Sequence, residues 1–293
     1  MQTKSPTLRE CLSPETTFDL IRLRYRDMAN TTPTASTRPD NPLFSGIGVA
    51  LVTLFDDDGE LLIGATVEHA LALVELGVTG VLVAGSTGEA SALDDDERAG
   101  LIEAIRRALP STVPVFAGTG QPSARAAAVT SIRAVDSGAD ALLVLSPPRS
   151  LDPRPYYDAV RKACTTTPVL AYHFPSVSAP GLAVDTLCEL DVVGCKDSSG
   201  DAGRLLEEAE RFTGALYVGN PVLLALAGLL NIQGAILAVA NIDPALCQRA
   251  LNGDPQAQIE VARLQRSTSR DFPHAIKQEL HIRFGTPTSS RLG

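Results

Sequence analysis

Between residues 48 and 252 one unit recurs eight times: a short apolar run, then a stretch with apolar residues at helical spacing. The runs fall at 48–55, 80–85, 113–118, 139–146, 168–173, 192–196, 215–220 and 234–241. The helical stretches between them fall at 66–77, 94–109, 123–138, 154–164, 183–190, 202–212 and 222–230. The runs are continuously apolar, not alternating, so they read as parallel strands buried on both faces. Eight such units over roughly 200 residues close into a (β/α)8 TIM barrel. An open doubly wound sheet is the main alternative, but the glycine-rich GxGxxG turn that marks one after its first strand is missing.

This assigns residues 44–243 to the barrel and 244–293 to a C-terminal helical region, with helices at 244–252, 254–267 and 273–284. Residues 1–43 read as a disordered extension, because "MANTTPTASTRPDNP" (28–42) has little to bury. "TTFDLIRLRYRDM" before it could form a short basic helix, and Met28 is an alternative start.

A net charge of -9 argues against nucleic acid and anionic membranes as partners. No apolar run is long enough to span a bilayer, and the first residues lack the apolar core of a secretory signal. Five scattered cysteines with no CxxC fit reduced thiols in a cytoplasmic protein. Four histidines without HxH or HExxH spacing give no metal motif.

Barrels of this kind carry their active sites at the C-terminal ends of the strands. Polar clusters stand there: "GSTGE" (85–89), "AYHFP" (171–175), "CKDSSG" (195–200), "GN" (219–220) and "AN" (240–241). Lys196 is the sharpest feature, an ammonium group at the end of an apolar strand. Alternation puts Lys196, Gly194 and Val192 on one face, and Cys195 and Val193 on the other. If the lysine face is the lumen, desolvation lowers its pKa and frees an amine to attack a ketone. The competing reading is a lysine that reaches solvent or pairs with Asp197. "GSTGE" offers hydroxyls and backbone N–H groups for a carboxylate, or is an ordinary loop. Tyr172 could relay a proton or be a buried tyrosine, and His173 should face the other way.

Together "GSTGE", "AYHFP" and "VVGCKDSSGD" (192–201) resemble the dihydrodipicolinate synthase / N-acetylneuraminate lyase family of class I aldolases. The tyrosine and lysine lie 24 residues apart on consecutive strands. "GAILAVAN" and "FPHAIKQEL" look like that family too, and the likeness covers about residues 44–290. The resemblance implies a Schiff-base lyase acting on pyruvate or another 2-oxo acid, without cofactor or metal. Lys196 would be the Schiff-base lysine and Tyr172 the proton shuttle. Ser86 and Thr87 would flank the substrate carboxylate. Ile236 would pack near the imine, and the Gly219 carbonyl would face the lumen. The resemblance also implies a homo-oligomer, dimer or tetramer.

Three departures stand out. "LSPPRSLDP" (145–153) lacks the Tyr-Tyr pair of the synthases, and Tyr156 and Tyr157 come later, on a helix. Val177 stands near the position of an arginine that binds the aldehyde's carboxylate. His173 replaces an asparagine. The pyruvate half of the site is therefore kept and the acceptor half rewritten, which disfavours aspartate semialdehyde. Arg149 is a candidate for the far end of the acceptor, or a loop arginine. A catalytically silent relative that binds a 2-oxo acid, and a synthase with a rewritten site, are the alternatives.

Overall fold

A computed structural model describes residues 42–292. The expected extension lies outside the described residues up to position 41. Eight parallel strands form a closed barrel in sequence order. They are β1 (Gly46–Ala50), β2 (Gly80–Val83), β3 (Val115–Gly118), β4 (Ala141–Leu145), β5 (Val169–His173), β6 (Gly194–Asp197), β7 (Ala215–Val218) and β8 (Gly234–Leu237). Seven α-helices alternate with them: α1 (Ile63–Glu75), α2 (Asp95–Ala108), α3 (Ala124–Asp136), α4 (Arg154–Ala163), α5 (Val184–Glu189), α6 (Ala202–Arg211) and α7 (Leu224–Leu229). After β8 come α8 (Pro244–Leu251), α9 (Pro255–Thr268) and α10 (His274–Phe284). No described helix is long and apolar enough to cross a membrane.

The helix ends follow local chemistry. Asp94 caps α2 by accepting from the N–H groups of Asp96 and Glu97, while Glu97 reaches back to the Asp94 N–H. Acids fill the first turn of α2 and Arg106 and Arg107 its last, as the helix dipole favours. Gly77, just beyond α1, has φ 97°, which a side chain would resist.

Several strands are shorter than their apolar runs. β1 stops at Ala50 because side chains take over the backbone donors beyond it. Asn241 Oδ1 accepts from the Val52 N–H, and Thr66 Oγ1 from the Leu54 N–H. Residues 239–241 form a 3-10 turn instead of extending β8. The Asn241 amide there donates to Ala50 O and Ala238 O. β6 begins at Gly194, so the expected alternation fails for Val192 and Val193. The Val192 N–H turns back to Leu190 O, and Val193 is half exposed. From Gly194 onward the alternation holds.

That alternation divides the interior in two. Side chains pointing inward form a lumen cluster that includes Phe44, Leu82, Phe116, Leu170, Tyr172, Tyr217 and Ile236. Outward-pointing residues, Cys195 among them, pack beneath the helices. Phe44 plugs the N-terminal mouth: its ring stacks on Tyr217 at 4.5 Å, and Tyr217 Oη donates to Phe44 O. Gly48 and Gly80 make room for that ring, since a Cβ at Gly48 would sit 2.8 Å from Phe44 Cζ. With the lower end filled, the C-terminal mouth is where a ligand can enter. α10 packs to one side of it, with Ile276 and Leu280 on Val52, Leu54 and Ile242 just beyond β1 and β8.

Candidate active site

Tyr172 on β5 and Lys196 on β6 are paired positions in the barrel ladder. Both point into the lumen at its upper end. Together with Ser86, Thr87 and Gly219 they line a cavity of about 370 Å³. Five of the six residues singled out in the sequence thus meet in one space. The sixth, Ile236, is buried in the lumen layer and does not line the cavity; Ala238, one step further along, does.

Lys196 is 4 % exposed. Burial brings its amine down to about 7, because a desolvated ammonium loses its hydration. Asp197 does not offset this. It sits on the opposite face of β6, where Arg204 Nε donates to it at 2.6 Å. The Lys196 amine instead lies over the Tyr172 ring, 4.5 Å from its centroid.

The Tyr172 hydroxyl accepts from Ser198 Oγ at 3.2 Å. Burial raises its pKa, so the phenol stays protonated across the neutral range. Ser198 follows Lys196 by two residues and so shares its face, and the period-two rule could have singled it out. Gly219 is required by close approach: a Cβ there would overlap Ser198 Oγ and lie 2.8 Å from Lys196 Cε.

Ser86 and Thr87 sit in a tight turn after β2. The Gly88 and Ala90 N–H groups both bond to Gly85 O, and Thr53 Oγ1 donates to Gly88 O at 2.8 Å. The rest of the lining is polar and uncharged or aromatic: Ser176, Ser199, Asn220, Gln265, Ser269, Phe174 and Phe272. Gln265 and Ser269 come from the end of α9. Helical periodicity says nothing about which distant strand ends a helix will cover, so no local signal marked them.

The residues that depart from the family pattern lie elsewhere. Val177 is exposed and outside this cavity. Arg149 is on an exposed loop with φ 60°, its N–H bonded to Ala179 O, and is not part of the lining. Tyr156 and Tyr157 are buried under the barrel wall. Tyr157 Oη donates to Val144 O, and Tyr156 Oη donates to Gln121 O.

His173 faces away from the lumen, where its Nδ1 accepts from the Leu182 N–H at 2.8 Å. Burial, then the Arg204 charge, pushes it down to about 4, so it is neutral at pH 7. Behind β6, Glu208 is wholly buried. It lies 2.8 Å from Arg204 Nη2, misaligned for a hydrogen bond. Burial first, and then the Asp197 charge, push its carboxyl up to about 8. No group of three or more described His, Cys, Asp or Glu residues has the geometry to hold a metal ion.

A closed parallel barrel with a buried lysine beside a tyrosine at its strand ends fits a class I lyase of the aldolase type. Residues 43–283 match the dihydrodipicolinate synthetase family, and the chain belongs to it. It is 33% identical over 227 residues to a 4-hydroxy-tetrahydrodipicolinate synthase of Natronomonas pharaonis, covering 72% of this chain and 76% of that one. It is 32% identical over 240 residues to a probable mitochondrial 4-hydroxy-2-oxoglutarate aldolase of Emericella nidulans, covering 76% and 77%. Among solved structures, it resembles a prophage protein of the dihydrodipicolinic acid synthase family from E. coli K12, in complex with pyruvate. That match has a TM-score of 0.78 and 25% identity, and covers 85% of this chain and 91% of the other.

Proposed function

We propose that the protein is a pyruvate-dependent aldolase in which Lys196 forms the Schiff base. The observation that carries this is the buried Lys196 amine, held near neutrality without a counter-charge beside the protonated Tyr172. The neutral amine attacks the ketone carbon of the 2-oxo acid, and loss of water leaves an imine. Ser86 and Thr87 hold the carboxylate with their hydroxyls and the N–H groups of their turn. Once protonated, the imine withdraws electrons, so the adjacent carbon loses a proton and becomes an enamine. The enamine then attacks an aldehyde; run backwards, the same steps cleave the bond. Tyr172, with Ser198 donating to it, passes protons between the nitrogen and oxygen atoms as the imine and the C–C bond form.

The acceptor we assign is an uncharged hydroxylated aldehyde. Ser176, Ser199, Asn220, Gln265 and Ser269 supply hydroxyl and amide groups. Among the described residues, the cavity lining contains no arginine and no carboxylate. Charged groups on an acceptor would be buried there unpaired, which is costly.

Incubation with pyruvate and borohydride tests the central step. Reduction should leave one pyruvyl adduct, found on Lys196 by intact mass and peptide mapping. An unmodified protein, or an adduct on another lysine, would remove the reading.

A further inference from the structure

Glu89 closes the GSTGE turn and is wholly buried. It adopts φ 54°, a left-handed conformation that costs a residue with a Cβ about 1–2 kcal/mol. Its N–H donates to Ser86 O, so its backbone geometry sets that of the Ser86–Thr87 turn. Strain of this kind persists only where surrounding contacts over-determine it, and here those contacts come from the far end of the chain. Glu89 Oε1 accepts from Lys277 Nζ at 2.5 Å. Glu89 Oε2 accepts from Ser290 Oγ and from the Arg291 and Leu292 N–H groups, each at 2.8 Å.

The C-terminal segment is itself held down. Lys277 Nζ also donates to Ser289 O at 2.7 Å. The Arg291 guanidinium forks onto Glu97 at 2.6 and 2.7 Å and donates to Gly59 O. Both cations lie over the Phe55 ring, 4.6 and 4.5 Å from its centroid. Leu292 and Ser86 line one groove. Burial raises the Glu89 pKa, but Lys277 and the C-terminal donors outweigh it and hold the carboxyl below its usual value. Glu89 is therefore a buried carboxylate with four donors, and three of them belong to residues 290–292.

We propose that Glu89 is a positioning residue. It ties the Ser86–Thr87 turn to residues 289–292, so that the C-terminal segment keeps the carboxylate site in shape. The link to catalysis rests on the reading that Ser86 and Thr87 receive the substrate carboxylate. That carboxylate is bound alike before and during the reaction, so loosening its site should weaken binding and spare turnover.

The test compares Glu89→Gln, Glu89→Asp and Arg291→Ala with the parent, all as full chains. KM for pyruvate should rise at least about 5-fold in each while kcat stays within about 3-fold. Hydrogen exchange at amides 85–90 should quicken without a matching change in the barrel strands. Glu89→Asp keeps the charge but is one methylene too short to meet all four donors, so it should not rescue. Unchanged KM in Glu89→Gln and Arg291→Ala, or a fall in kcat alone, would overturn the proposal. Should Glu89→Gln fail to fold, Arg291→Ala decides, because its side chain lies partly at the surface. Absence of a borohydride adduct in the parent would sink the Schiff-base reading instead. The tie is then judged by exchange, and unchanged protection at 85–90 overturns it.

Discussion

Lys196 lies with its amine 4.5 Å over the ring of Tyr172, its ladder partner on the neighbouring strand. The pairing puts a nucleophile and a proton donor on one wall of the cavity, and burial brings the amine down to about 7 while it keeps the phenol protonated.

Tyr172→Phe should therefore separate proton transfer from packing. The ring still fills its place in the lumen cluster, so melting should change by no more than a degree or two. Turnover should fall by roughly 10² to 10⁴, the range for losing a proton-transfer group. Steady-state rates and a thermal melt on the same preparation would check both halves. Unimpaired turnover would place the proton relay elsewhere.

The depressed Lys196 pKa makes adduct formation sensitive to pH near neutrality. At limiting pyruvate the trapping rate should climb through about pH 7 and level off above about pH 8, as the amine loses its proton. Stability carries the same signature. The amine releases its proton at about 7 in the folded chain and near 10.5 when unfolded. Between those values the unfolded state binds more protons, so this group's penalty is full below pH 7 and fades as pH rises. Lys196→Met should accordingly melt higher than the parent at pH 6, with the gap narrowing toward pH 10. A flat trapping profile, or a gap that widens with pH, would argue that the amine is solvated.

Gly219→Ala tests the close approach above the lysine. The added methyl must displace Ser198 Oγ and press on Lys196 Cε. Overpacking of this kind costs about 1–3 kcal/mol, and the adduct rate should drop at least about 10-fold as the lysine is pushed aside. Parent-like melting and trapping would mean that the loop yields easily.

The uncharged cavity lining bears on the acceptor. Condensation of pyruvate with aspartate semialdehyde should be at least about 10²-fold slower in kcat/KM than with a neutral hydroxylated aldehyde such as glyceraldehyde, roughly 2.7 kcal/mol. Parallel steady-state assays would decide it. Efficient use of the semialdehyde would show that a charged group, such as Arg149, swings into the cavity.

The sequence by itself pointed to the barrel: eight runs apolar on both faces need cover on both sides, and the missing glycine-rich turn after the first run set aside the open doubly wound sheet. It also put Lys196 on the same strand face as Gly194, while leaving open whether that face was the lumen. Alternation along a strand is local, so an ammonium two residues beyond Gly194 had to share its face. Ser198 was legible by the same rule. What local pattern could not decide was where strands would stop. β1 ends at Ala50 because Asn241 and Thr66, distant in sequence or across a loop, claim its next donors. Nor could it decide what covers the site. Gln265 and Ser269 reach the cavity, and Glu89 finds Lys277 and residues 290–292, only because α9, α10 and the segment after them pack back against the strand ends. Those contacts join residues that are far apart in sequence, so their geometry is set by tertiary packing.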